Sequence, residues 1–528
     1  MKYILLVSTF LLSGFLFVSC QNVEQEQDME AETQTVAYDE PYRPQFHFTP
    51  QKNWMNDPNG LVYYDGEYHL FYQHNPFGDQ WGHMSWGHAV SKDLLHWEHL
   101  PVALEEEDGI MIFSGSAVVD KNNTSGLGTE KNPPMVAIYT GHHTDEDNPK
   151  QDQRIAYSTD NGRTWTKYEG NPVIDEGLKN FRDPKVIWHE ATEKWIMVVA
   201  LPTQHKVRFY SSANLIDWQR ESEFGPAGGT DGIWECPDLF KLPVDGSGGE
   251  SKWVLQVDLN PGSVAGGSGG QYFVGEFDGH TFTQSPKTKD QTLWVDYGKD
   301  FYAVQSFSNA PNDRRIWLAW MNNWEYAGDV PTDPWRGAMT IPREVGLRAT
   351  EGGARLYQKP VKEIKNLYGE HQEMKNITVS NETYSHEALR GTTYKLRAEI
   401  KLDDADRFGL KVRKGKMEET IIGYDVSEKE LFVDRQKSGQ VQFQEKFANR
   451  VQTVPLKAKN GSITLEILVD RSSVEVFANN GERVITDRIF PDSSSQGIEF
   501  FSSGGAININ QLDFWSLQSV WDTTNNSQ

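Results

Sequence analysis

Three acidic residues stand out by the company they keep. Asp57 lies in Trp54-Met-Asn-Asp-Pro-Asn-Gly60, between Asn56 and Pro58. The proline restricts Asp57 to non-helical backbone and Gly60 permits a sharp exit, so this carboxylate is expected on a fixed turn that opens a strand. Asp183, in Phe181-Arg-Asp-Pro-Lys-Val186, is again held before a proline and directly follows Arg182. Glu235, in Trp234-Glu-Cys-Pro-Asp-Leu239, sits between Trp234 and Cys236. Burial in that apolar company raises a glutamate's pKa and makes it a proton donor near neutrality. Each position also has a plainer reading. Asp57 fits an Asx turn, Asp183 a surface ion pair worth about 0–1 kcal/mol, and Glu235 a solvated strand edge. His142-His143, in the polar stretch GHHTDEDN, has no partners at metal-ligand spacing, so neither a catalytic metal nor a cofactor is expected.

The elements that must hold these residues read as an all-β chain. From Tyr42 to Arg348 the sequence is rich in aromatics and in short, turn-bounded alternating segments, such as Gly60-Leu-Val-Tyr-Tyr64 and Lys185-Val-Ile-Trp188. Three stretches echo one another: Ser91–Trp97, Ser158–Trp165 and Ser211–Trp218 each place a polar turn before a tryptophan. Repeated strand–turn units suggest a propeller of about five four-stranded blades over residues 42–348, with a Trp-rich sandwich as the alternative. Residues 349–371, with Pro360 and a helical patch at Val361–Leu367, read as a connector. Beyond it, residues 372–518 alternate cleanly and carry Asn479-Asn-Gly481 as a hairpin turn, so a separate β-sandwich is expected there.

The chain has 528 residues, 17 Trp, 45 Gly and a net charge of -24. That charge argues against nucleic acid as a partner. Lys2, the apolar run 4–18 and Cys20 resemble a lipoprotein signal in which cleavage precedes a lipidated Cys20. An ordinary secretion signal with an incidental cysteine is the plainer reading. Residues 21–41 read as an acidic tether. The protein is thus expected to be exported and lipid-anchored to a bacterial envelope, its outer membrane in particular. The anchor is its only expected contact with membrane, and no obligate protein partner is expected.

WMNDPNG at 54–60, FSGS at 113–116, FRDP at 181–184 and WECPDL at 234–239 occur in the order found in glycoside hydrolase family 32, the family of invertases, inulinases and levanases. DFYAVQSF at 300–307, the stretch 322–344 and VDRSSVEVF at 469–477 resemble its later motifs, and the likeness runs from Phe46 to Trp515. The resemblance implies a five-bladed β-propeller followed by a β-sandwich, acting on fructans or sucrose. It implies that Asp57 is the nucleophile, Glu235 the general acid/base and Asp183 the transition-state stabiliser. It further implies that Asn56, Gln73, Trp81, Phe113, Ser114, Arg182 and Trp324 line the pocket for a terminal fructose, with Trp335 a further contributor. His83 and Ser85 depart from the family pattern and bear on subsite preference.

Those roles are chemically coherent. Cleavage at the ketal carbon of a fructofuranoside passes through an oxocarbenium-like state, which a charged carboxylate beneath the ring can attack while a protonated partner assists departure. An inverting propeller hydrolase of the arabinanase or xylosidase type would use the same residue types at a wider carboxyl separation, about 6.5–9.5 Å against about 5–5.5 Å for retention. A sialidase would want an arginine cluster, and none is evident. A non-catalytic glycan-binding lipoprotein is the reading from outside enzymology, and a hydrolysis assay separates it from the rest.

Overall fold

The computed structural model describes residues 38–521 apart from Glu146 and Asn148. The signal segment, Cys20 and the tether up to residue 37 lie outside the described residues. Alternating apolar segments form five blades around one axis. Their innermost strands are Asn53–Tyr64, Ile110–Val119, Arg182–His189, Ile233–Asp245 and Tyr302–Ser306, and each is followed outward by antiparallel partners. Inner strands such as Ile110–Val119 and Arg182–His189 are buried along most of their length on both faces.

The repeated Trp turns have a common physical cause. Each connects the third to the fourth strand of blades I, II and III. Ser91, Ser158 and Ser212 hydroxyls bond to Asp93, Asp160 and Asn214, whose side chains cap the turn backbone. Leu94, Gly162 and Leu215 follow with φ of 70°, 77° and 64°. The indole N–H of Trp97, Trp165 and Trp218 then donates to the carbonyl of that left-handed residue at 3.0, 3.0 and 2.9 Å. The tryptophan thus locks the turn by filling a hydrogen bond that the reversed backbone leaves open.

The propeller extends beyond the expected boundary at 348. Arg343–Thr350 pairs with Gly353–Pro360 as a hairpin that completes blade V, so residues read as connector are strand. The short helix falls at Lys362–Leu367. Two six-stranded sheets follow, spanning Tyr368–Leu517 and enclosing a core that includes Leu396, Phe408, Ile422, Val476 and Phe500. Asn479 and Asn480 adopt φ of 48° and 60° in the hairpin that Gly481 closes.

Propeller and sandwich meet across buried charge. Arg343 Nη1 donates to Asp296 at 2.9 Å, and its Nη2 donates to Glu475 and, at 2.6 Å, to Thr486 Oγ1. His47 is clamped between Asp470 at 2.8 Å and Glu475 at 2.7 Å. Arg435 of the sandwich donates to Asp300, which also accepts from Tyr326 at 2.7 Å. Burial alone would lower the pKa of His47, but its two carboxylates override that and raise it to about 9. Arg488 rests on the rings of Trp335 and Phe490.

Candidate active site

The three carboxylates meet at the end of the propeller where the inner strands begin. Asp57 lies within strand Asn53–Tyr64, not on a turn before it. The pairing register shifts between Met55 and Pro58, and such a bulge re-aims side chains toward an axis. Asp183 is the second residue of its strand and Glu235 the third of its own. Asp183, Cys236 and Ala303 have φ of 65°, 48° and 55°, so three inner strands kink through left-handed backbone at this mouth. For Asp183 that departs from the extended conformation favoured before proline. Its N–H donates to Thr140 Oγ1 at 3.0 Å and helps hold the kink.

Asp57 Oδ1 accepts from Asn56 Nδ2 at 2.9 Å and its Oδ2 from Ser114 Oγ at 2.7 Å. Cys236 ties the two aspartates together. Its backbone N–H donates to Asp183 Oδ2 at 2.9 Å, and its thiol lies 3.5 Å from Asp57 Oδ2 and 3.7 Å from Asp183 Oδ2. Burial raises the pKa of Asp57, opposed by the bonds from Asn56 and Ser114. Burial likewise lifts Asp183 out of the usual carboxylate range; the Arg182 cation opposes this, and the charges of Glu235 and Asp57 add to it.

Glu235 occupies polar surroundings, contrary to the apolar company read from its sequence neighbours. Oε1 accepts from Arg182 Nε at 3.0 Å and Nη2 at 2.9 Å, while Oε2 accepts from the Tyr302 hydroxyl. Its side chain is 16% exposed. The reason is strand alternation: Trp234 packs away into the blade core, leaving Glu235 to face the mouth.

The expected lining residues gather around these groups. Phe113 and Trp324 flank an apolar floor that includes Trp54, Met84, Tyr302 and Trp320. Trp324 lies 5.9 Å from Trp54 in near-parallel contact, and Trp81, 45% exposed, meets Phe113 edge-on at 6.0 Å. Gln73 is buried, its Nε2 donating to the Ile112 carbonyl at 3.0 Å, so it buttresses the wall through the backbone. Arg182 Nη1 also reaches Gln151 and Asn180, both at 3.2 Å. Trp335 is fully buried between Arg43 and Arg488 and does not line the pocket.

Sequence reasoning assigned no role to Tyr302 or Cys236, although both lie inside motifs it singled out. It also missed Asp258, which faces Glu235 in register across the blade IV hairpin. Asp258 Oδ2 accepts from Gln256 at 2.9 Å and from the Val304 N–H at 3.2 Å, and burial pushes its pKa well above the ordinary value. Among the described residues, no helix is long and apolar enough to cross a membrane.

Comparison with known proteins agrees with this arrangement. Residues 47–360 match the N-terminal domain of glycosyl hydrolases family 32, and residues 363–516 match its C-terminal domain. A levanase of Bacillus subtilis is 54% identical over 92% of this chain and 72% of its own length. An extracellular exo-inulinase of Aspergillus ficuum is 42% identical over 92% of this chain and 96% of its own length. The crystal structure of exo-inulinase from Aspergillus awamori superposes with a TM-score of 0.86 at 42% identity, covering 92% of this chain and all of that one. A β-fructofuranosidase from Schwanniomyces occidentalis complexed with fructosyl-erythritol gives 0.84 at 34% identity, covering 92% and 99%. With the five blades, the sandwich and the ordered carboxylate motifs all accounted for, the chain belongs to glycosyl hydrolases family 32.

Proposed function

We propose that this glycoside hydrolase removes terminal fructose from β-fructofuranosides, fructans and sucrose among them, with retention of configuration. The observation that carries the reading is the pairing of unlike carboxylates at one mouth. Asp57 lies on the floor beside Ser114, while Glu235 stands at the rim on Arg182 and Tyr302. Asp57 attacks the anomeric carbon and forms a fructosyl-enzyme. Glu235 protonates the departing oxygen and afterwards deprotonates the incoming water. Asp183 holds ring hydroxyls as positive charge develops. Bonds from Asn56, Ser114 and Cys236 favour the ionised form of Asp57 against its burial.

Aromatic walls on two sides, Trp81–Phe113 and Trp54–Trp324, support a pocket for a single end unit and hence exo-action. The names of the levanase and exo-inulinase relatives favour fructans. Chromatography of early products tests this: free fructose alone is expected from levan or inulin. Early short oligosaccharides would reveal endo-cleavage. Methanol added as acceptor should yield methyl β-fructofuranoside, whereas the α anomer would point to the inverting scheme.

Export with lipidation at Cys20 is part of the same proposal, supported by the apolar run that ends there. Changing Cys20→Ala should move the activity from the membrane to the soluble fraction. Unchanged membrane partition would overturn the anchor.

A further inference from the structure

His142 is the penultimate residue of the second strand of blade II, Met135–His143, and Gln151 opens the third, Gln151–Ser158, so the two stand in direct register at the mouth. The orientation of the Gln151 amide is fixed by its neighbours. Its Oε1 accepts from the Phe181 N–H at 2.9 Å and from Arg182 Nη1 at 3.2 Å. Its NH2 group must therefore face the other way, where His142 Nδ1 lies 3.3 Å off. An amide NH2 only donates, so Nδ1 presents a bare lone pair and the imidazole proton resides on Nε2. Burial and the nearby Arg182 charge both lower the pKa of His142, which agrees with a neutral ring.

That ring stacks on Phe113, with centroids 4.4 Å apart and planes 12° from parallel. It is half-buried, and among the described residues Nε2 meets no protein acceptor. Gln151 thus sets the tautomer that leaves a donor free at the rim. Packing alone would not require one. Arg182, which grips Gln151, also grips Glu235, so a chain of bonds joins His142 to Glu235. The unit being released sits near Glu235, because its bridging oxygen receives the Glu235 proton, and this chain of bonds places His142 within reach of that end of the mouth.

We propose that His142 is a specificity-determining residue that binds the departing sugar, its Nε2–H donating to a hydroxyl of the unit released with the bridging oxygen. This inference rests on the fructosidase reading given above. Gln151 is the positioning residue that fixes the donor, and Phe113 holds the ring at its angle.

The test compares two substrates in one variant. Substituting His142→Phe keeps a ring on Phe113 and removes the N–H. A fructan trisaccharide offers a sugar leaving group, whereas β-D-fructofuranosyl fluoride offers none. The ratio of kcat/KM for the trisaccharide over the fluoride should fall about fivefold, the scale of one neutral hydrogen bond. Because both values scale with the amount of folded enzyme, partial misfolding leaves the ratio untouched. An unchanged ratio would overturn the role of His142. A wild-type enzyme that releases fructose from neither compound would instead overturn the fructosidase reading.

Discussion

The catalytic mouth and the propeller–sandwich seam both bury charge, but they treat it in opposite ways. At the seam, Arg343 meets Asp296 and Glu475, His47 meets Asp470 and Glu475, and Arg435 meets Asp300. At the mouth, Arg182 is bonded to Glu235 and acts on Asp183 only through its charge, while Asp57 is held by Asn56 and Ser114 and Asp258 lies buried behind. These seam carboxylates each face a cation, whereas at the mouth, among the described residues, only Glu235 does. Uncompensated anions cost folding free energy, yet they are what a developing oxocarbenium requires. The two regions also touch: Asp300 and Tyr326, held by Arg435, lie beside Tyr302 and Trp324 in sequence.

The largest expected effect falls on the mouth. Substituting Asp57→Ala should lower kcat by a factor on the order of 10⁵ on every substrate, the loss expected for the proposed nucleophile. In Glu235→Ala, azide should restore turnover of fructosyl fluoride, which needs no acid, and the product should be the retained β-azide. An inverted azide from Glu235→Ala, or near-normal activity in Asp57→Ala, would exchange or dismiss the roles.

Next comes the seam. Truncating Glu475→Ala takes one carboxylate from each of Arg343 and His47, which keep Asp296 and Asp470. Removing one partner of a buried pair typically costs about 3–5 kcal/mol, and the remaining partners should hold the loss toward the low end of that range. Urea unfolding should therefore begin at a lower concentration. The double change Arg343→Met with Glu475→Leu should recover only part of the stability, because it leaves buried Asp296 without its cation. If Glu475→Ala melts like the wild type, the seam is not the anchor described.

The smallest effect is the one that separates the regions by pH. Asp183 is raised in the fold, so its contribution to stability is full below its unfolded pKa of about 4 and is lost as pH rises through its folded value. His47 is raised too, and its contribution is full below about 6.5 and lost as pH climbs through about 9. Replacing Asp183→Asn should then abolish most activity yet raise the melting temperature by about 2 °C at pH 7, and by less at pH 4. A variant that melts no later at pH 7 would show that the mouth carries no such penalty. Wild-type melting should decline again between pH 7 and 10, and that decline should survive the Asp183 change. The acid limb of kcat/KM should lie above the ordinary carboxylate value of about 4, because Asp57 and Asp183 protonate early.

Much of this was legible along the chain, and what was not has a common cause. Asn479-Asn-Gly481 and the three Trp turns are local patterns, each settled within a few residues, whereas Asp57 falls inside a strand and Asp183 takes left-handed backbone before its proline. The surroundings of Glu235 are not local. Arg182 and Tyr302 arrive from the neighbouring inner strands 53 and 67 residues away, while the adjacent Trp234 turns its back. Gln151 and His142 were hidden in the same way: their partners Arg182 and Phe113 sit on other strands. The end of blade V was misplaced because the Glu351–Gly353 turn carries linker-like residues, although its strands bury Val345, Leu347 and Leu356 against blade IV.

Cys236 has a consequence for how the protein meets oxidants. Peroxides and disulfides react with thiolates, not thiols. Burial, with the charges of Asp183 and Asp57 beside it, pushes the Cys236 pKa well above the ordinary value. The sulfur therefore stays protonated and shielded, and an oxidising medium finds nothing at this position to attack. A small mercurial that did penetrate would lodge between the two aspartates, so a residue with no part in bond cleavage becomes the one whose capping would silence the enzyme.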